Sequence, residues 1–370
     1  MVHALDSIGT TQVPSRREAR AFRPASAPSA WGGIARSIMR PRNPYYAGPI
    51  SDHFDGRRFF NPGGTPPSGF LNFLRWQFGA RRQRWPERVP LPPTAPPQPR
   101  VANLAVTMVG HATLLIQTAE MNILTDPVWS DRASPLRLAG PRRVIAPGLN
   151  FDDLPPIDLV LLSHNHYDHL DLETLARLSQ RFAMPILTPL GNDAILRAAH
   201  GDLHHILARD WGQSESFGPL TLHLVPCHHW SARGARDRSM ALWSAFVIEG
   251  PAGRIHVIGD TGFDGGRPYR NLPGDGPLRL SVIPIGAYQP RWFMEPQHQD
   301  PAQAVQGFRI SGAAWGVGHH WGTFQLTDEA RETPLEDLAT ALADQGIAPE
   351  RFRALAPGQC WAVPPVPQPD

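Results

Sequence analysis

Apolar and polar positions divide the 370-residue chain into three stretches. Residues 1–50 mix Pro, Ser, Arg and Ala without an apolar stripe, a composition that predicts a disordered or loosely docked arm. Residues 51–100 are richer in aromatics. Within "GFLNFLRWQFGARRQRWPE", Phe70, Leu71, Phe73, Leu74 and Phe78 recur at helical spacing and predict a short amphipathic helix. "PLPPTAPPQP" (90–99) reads as an extended linker. From 101 to 370 the pattern is that of one packed domain. "LAVTMVG", "TLLIQT" and "NILTD" are short strands between turn residues. "IDLVLLSH" (157–164) is a continuous apolar run, as expected of a strand buried on both faces. "PILTP", "LTLHLVPC", "LWSAFVIEG", "RIHVIGD" and "RLSVIPIGA" are further strands, while "DLETLARLSQRF", "DPAQAVQGFRISG" and "TPLEDLATALADQG" have helical periodicity. Strands in two groups, each with its own helices, predict a layered α/β sandwich.

Charge changes this picture at one end. All 35 basic residues are arginine, and residues 1–100 carry 15 of them against five acidic residues, a net +10 on a body whose balance is −8. A basic segment suits an anionic partner such as a membrane surface or nucleic acid, or it can wrap the acidic body. Cys227 and Cys360 are too few for a disulfide framework. No apolar run is long enough to span a bilayer, and the N-terminus lacks the apolar core of a secretory signal. The expected location is cytoplasmic, peripheral to the inner membrane if the basic segment touches lipid.

The densest chemistry lies in "SHNHYDHLD" (163–171). A buried strand ends at Ser163, so His164, His166, Asp168 and His169 fall in the loop after a strand, where α/β sheets gather their chemistry. Histidines at i and i+2 can aim at one point, and the Asp–His pair further round the turn at a second. Four N/O donors of this kind suit zinc, with iron or manganese as alternatives. Asp171 reads as the N-cap of the following helix. Other strands end in donors too: His228 and His229 after "LTLHLVP", Asp260 after "IHVIG", and His319 and His320 after "WGVG". Both later histidine sites are tandem pairs, and chemistry alone does not choose between the members.

H-x-H-x-D-H, then a histidine, then Asp260 in "GDTG", then a further histidine resembles the metallo-β-lactamase superfamily over roughly 103–363. The resemblance implies a four-layer αββα sandwich and two metal ions. One ion would sit on His164, His166 and a third histidine, the other on Asp168, His169 and a fourth, with Asp260 bridging both. "GHATLLI", "LTDPVWSDRASP", "GPRR", "IPIGAYQPRWFMEPQHQDP" and "HHWGTFQLTDE" are similar to segments of N-acylphosphatidylethanolamine-hydrolysing phospholipase D and its bacterial relatives. "DHFDGRRFFNP" extends that likeness to about residue 51. In that family the ligand histidine directly precedes Trp, which selects His229 and His320. His228 stands where the family pattern has glutamine.

Metal-bound histidines pass their other N–H to a carboxylate or carbonyl, and Asp126, at the end of "NILTD", is the candidate; His111 in "GHAT" is a second supporting residue, beside a Gly110 that would permit close backbone approach. The resemblance implies a dinuclear zinc phosphodiesterase. A bridging hydroxide, oriented by Asp260 and Asp168, would attack phosphorus, turning N-acylphosphatidylethanolamine into phosphatidic acid and an N-acylethanolamine. His298 would assist at the phosphate, and Tyr288 and His298 would contact substrate. The family also implies a homodimer. Rival readings are a soluble metal-dependent hydrolase of a lactone, small phosphodiester or phosphonate, and a non-catalytic binding protein on the same fold. The complete ligand set argues against the second. No segment resembles a nucleic-acid-binding module, so a phospholipid is the expected partner.

Overall fold

A computed structural model describes residues 42–367 apart from 80, 137, 202 and 204; most of the predicted basic arm, residues 1–41, lies outside the described residues. Among them, the first sheet is built from β1 (Leu104–Gly110), β2 (Thr113–Thr118), β3 (Met121–Thr125), β4 (Leu159–Leu161), β5 (Ile186–Pro189) and β6 (Ile206–Arg209). The second is built from β7 (Ser214–Phe217), β8 (Leu220–Val225), β9 (Ala245–Glu249), β10 (Arg254–Val257), β11 (Leu278–Pro284), β12 (Trp315–His319) and β13 (Phe352–Ala354), and β14 (Cys360–Ala362) returns to the first sheet beside β1. Each sheet starts antiparallel and becomes parallel: β1–β2–β3 then β3–β4–β5–β6, and β7–β8–β9–β10 then β10–β11–β12–β13.

Parallel neighbours need crossover connections, and helices supply them. α1 (Phe70–Gly79) precedes both sheets; α2 (Leu172–Arg181) and α3 (Asn192–Ala199) follow strands of the first. α4 (Arg291–Met294), α5 (Pro301–Ser311) and α6 (Thr333–Asp344) follow strands of the second. The period-2 alternation of strand side chains then sorts the core into layers. On β4, Leu159 and Leu161 join Val106, Leu222, Phe246 and Val282 between the sheets, whereas Val160 packs outward with Leu175, Leu178 and Leu196. On the far side, Val247 and Ile283 pack against Ala304, Phe308, Leu338 and Leu342 of α5 and α6. The expected four layers, helix–sheet–sheet–helix, are therefore present.

β8 and β10 both pair antiparallel with β9, so they run the same way. Their ends, with those of β11 and β12, open on one edge of the second sheet, and the ends of β3 and β4 open on the first. The donor residues sit there.

Residues before β1 are docked more firmly than their composition suggested. Asn43 is buried and donates to the carbonyls of Arg57 and Met240, and Tyr45 donates to Asp237. The Pro-rich stretch lies along the body: Asn122 donates to Pro99, Gln117 to Gln98 and Thr94 to Gly148. The predicted helix is α1, but its apolar side is turned to solvent. Phe70, Leu71 and Phe78 are 70%, 79% and 89% exposed, and only Trp76 is buried, donating to Asp328. β7, "SESF", escaped the sequence reading because its side chains alternate between exposed and half-buried with no apolar run. Among the described residues, no helix is long and apolar enough to cross a membrane.

Candidate metal centre

The loop after β4 is held from beneath by one carboxylate. Asp126, the residue after β3 and in left-handed backbone (φ +34°), accepts from the Ser163 amide (2.7 Å) and hydroxyl (2.6 Å) and lies 2.8 Å from His169 Nδ1. Ser163 Oγ in turn lies 2.9 Å from His164 Nδ1. One side chain thus orients an imidazole directly and a second through a hydroxyl. A Cβ on Gly259 would come within 2.2 Å of that hydroxyl, so glycine is required there. Asp171 caps α2 by accepting from the Thr174 amide and takes no part in the cluster.

Donor atoms converge in adjoining groups. His164, His166, His229 and Asp260 place one donor each within 4.8 Å of one another; His111, Asp168, His169 and His320 do the same; Asp260, His298 and His320 connect the two. His166 Nδ1 lies 2.9 Å from His164 Nε2 and 3.2 Å from His229 Nε2. Asp260 Oδ2 reaches His169 Nε2 at 3.2 Å and His229 Nε2 at 3.6 Å, and its Oδ1 reaches His320 Nε2 at 3.1 Å. His169 and His320 face each other Nε2 to Nε2 at 3.1 Å. Several imidazole nitrogens aimed at a common point, in a pocket where His164, His169, His229 and Asp260 are 2% exposed or less, cannot satisfy one another with the protons available. A cation satisfies them, so the donor set fits a metal.

The tandem histidines resolve by direction. His229 turns to the first group and passes its Nδ1 proton to the Gln297 carbonyl at 3.0 Å, whereas His228 turns away and donates to the Thr65 carbonyl. His319, the last residue of β12, donates to the Ile258 carbonyl; His320, with a left-handed φ of +64°, swings the other way into the second group. His111 sits closer than expected of a supporting residue, 2.9 Å from Asp168 Oδ2 and inside the second group. Gly110 does not mark a close approach: a Cβ there would make ordinary contacts, and φ of +149° is what calls for glycine.

Charge follows this packing. Burial alone would raise Asp260 and Asp168, but the histidines around them hold both well below the usual carboxylate range: His320 and His169 for Asp260, His169 and His111 for Asp168. Burial lowers His166 and His298 to about 4 and His111 to about 3. In His320 burial is outweighed by Asp260 and Asp168, which raise it to about 9, and His169 is raised well above 6.5 against its burial by Asp260, Asp168 and Asp126.

A cavity of about 530 Å³ opens onto the groups. His166, Asp168, Asp260 and His298 line it, with Phe70, Phe73, Trp76, Trp230 and Phe293 among the walls. Gln297 also lines it; its amide is buried, and neither end has a partner among the described residues. A lone glutamine carries no pattern, and the sequence reading passed over it. Tyr288 is not brought to the cavity. It is 2% exposed, and its hydroxyl donates to Asp337. The aromatic-rich segment around it places Phe293, Met294 and His298 at the cavity instead.

Residues 121–321 match the family model described as the beta-lactamase superfamily domain. The chain belongs to the metallo-β-lactamase superfamily. Its relatives include an uncharacterized protein of Mycobacterium tuberculosis, 35% identical over 328 residues and 86% of each chain. N-acyl-phosphatidylethanolamine-hydrolyzing phospholipase D 1 of Caenorhabditis elegans is 34% identical over 271 residues, 70% of this chain and 76% of that one. A mitochondrial yeast protein of the same description is 31% identical over 59% of this chain and 47% of its own length. Among solved structures, an isothiocyanate hydrolase from Delia radicum gut bacteria has a TM-score of 0.55 at 19% identity, covering 70% of this chain and 98% of that one. The metallo hydrolase Igni18 of Ignicoccus hospitalis has a TM-score of 0.50 at 18% identity, over 70% and 97%. As a superfamily member the protein is a metal-dependent hydrolase by fold, with histidine–aspartate clusters able to hold metal ions.

Proposed function

We propose that this protein is a dinuclear zinc phosphodiesterase of phospholipase D type, hydrolysing N-acylphosphatidylethanolamine to phosphatidic acid and an N-acylethanolamine. The observation that carries the reading is the juxtaposition of a buried histidine–aspartate centre with a cavity whose walls are aromatic. A phosphodiester needs the first and acyl chains need the second. The worm and yeast relatives named for this reaction support it.

His164, His166 and His229 would hold one ion, Asp168, His169 and His320 the other, with Asp260 between them. Bound there, divalent cations supply Lewis acidity toward a phosphoryl oxygen and lower the pKa of water. The chain's own residues do the rest. Asp126 fixes two imidazole rings. Asp168 and Asp260 remain ionised through the working pH range. His298 is neutral and half-buried, with Nδ1 unpartnered among the described residues, so it offers the phosphate a donor and an acceptor. The Gln297 amide offers the same without a charge. Water oxygen joins phosphorus, the bond from phosphorus to the ethanolamine oxygen breaks, and that oxygen takes a proton.

Substrate reaches such a site from a bilayer. The exposed Phe70, Leu71 and Phe78 of α1, with Trp292 beside them under Arg75, form an apolar rim with cations suited to an anionic membrane surface. A homodimer accompanies this reading, to be checked by light scattering. The deciding experiment is mass spectrometry of lipid products after incubation with N-acylphosphatidylethanolamine vesicles. Both products should appear only with metal-loaded protein. Unchanged lipid, alongside rapid turnover of a small soluble ester by the same preparation, overturns the assignment.

A further inference from the structure

The family-model match begins at residue 121, yet residues 61–67 lie across the centre's back wall. Asn61 Nδ2 donates to the carbonyl of His229 at 2.9 Å. Its Oδ1 accepts from the indole of the buried Trp243 at 3.1 Å, and the same indole donates to the Cys227 carbonyl at 3.1 Å. His228 Nε2 donates to the Thr65 carbonyl at 3.0 Å, and Nδ1 lies 3.1 Å from Asp264. Gly64 rests on that imidazole so closely that a Cβ would fall 2.2 Å from His228 Cε1. Arg267 closes the far side by donating to the carbonyls of Pro62 and Gly63 and to Asp264.

These contacts converge on three consecutive residues, 227–229, and fix each by a different route. His229 is the residue that gains most. Its ring is set by the Gln297 carbonyl, but its backbone has the Asn61 amide as the side-chain donor to its carbonyl. A donor atom must be held within about 0.5 Å for a metal site to keep its geometry, and a ring fixed at one end still swings if its Cα moves. His228, the tandem partner that faces away from the metal groups, becomes the handle by which the segment grips the loop.

We infer that the segment before the family domain is a working part of the metal centre: Asn61, with the Thr65 carbonyl on His228, is a positioning device for His229. The inference rests on His229 being a metal ligand, and the test separates the two. Full-length protein loaded with zinc is titrated with a competing chelator, and zinc retained per chain is counted for H229A, N61A, H228A and H228Q. H229A should lose one zinc. N61A and H228A should weaken one zinc by about tenfold to a hundredfold and leave the other, the range seen when a supporting partner of a metal ligand is removed. H228Q should recover much of that loss, since its amide can still donate to Thr65. If H229A loses one zinc while N61A and H228A hold both as tightly as wild type, the positioning role is wrong and the ligand stands. If H229A keeps both, the ligand assignment falls and the inference with it. If the metal-free variants melt lower and lose both zincs in step, the contacts are purely structural, and that too overturns the inference.

Discussion

The floor of the cavity and its rim are built on opposite terms. Three of the floor histidines, beyond the ends of their strands, are almost fully buried and have a nitrogen or backbone fixed by a second group: Asp126 under His169, Ser163 under His164, Gln297 and Asn61 on His229. The rim is α1 and α4, a ten-residue and a four-residue helix, with Phe70, Leu71, Phe78 and Trp292 turned to solvent; Trp76 on Asp328 and Arg291 on the His298 carbonyl and Gln303 tie it to the body. Chemistry here is over-determined and substrate contact is not. A fold arranged this way can change what it admits without disturbing what it does.

Substitutions should break the two regions differently, and the floor gives the larger effects. Asp260→Ala or His166→Ala should abolish hydrolysis and lower bound metal, with a loss beyond the ~100-fold that removal of a supporting partner causes; metal analysis and product formation check this together. Asp126→Ala should weaken metal binding by about 10- to 100-fold, measured by chelator competition. Next is the rim. Leu71→Ser with Phe78→Ser should lower binding to anionic vesicles by roughly tenfold, as each side chain removed from lipid forfeits about 1.5–3 kcal/mol at most. Co-sedimentation reads it, and binding indifferent to lipid charge would remove the Arg contribution. The smallest effect lies away from both. Burial would lower His53, but hydrogen bonds to Asp210 and Asp52 more than offset it, so its pKa is raised. The protonated form therefore ties residues 51–60 to the body below pH ~6.5, and that stability fades as pH rises through the raised value. Comparing wild type with His53→Gln, the difference in melting temperature should shrink from pH 6 to pH 9 and stay below about 3 °C throughout.

Legibility in the sequence followed the same division. "IDLVLLSH" could be read as a strand buried on both faces because both faces are apolar, and the donors after it fall at the strand's end as expected. The tandem pairs could not be split on chemistry, since the choice depends on backbone: His320 has a left-handed φ that His319 lacks. Ser163, Gln297 and Asn61 act through hydrogen bonds whose partners, Asp126, His229 and Trp243 among them, lie far along the chain, and such contacts leave no periodic trace. Tyr288 illustrates the converse. An aromatic in a promising segment was expected at the substrate, but Asp337, 49 residues on, takes its hydroxyl. α1 was legible as a helix, though periodicity does not say whether an apolar stripe meets protein or solvent.

Asp126 reaches both donor groups, His169 of one directly and His164 of the other through Ser163. Whatever orders that carboxylate for one ion has already ordered it for the next. A lesion at that carboxylate should then loosen both ions together, whereas one at Asn61 loosens only the ion on His229.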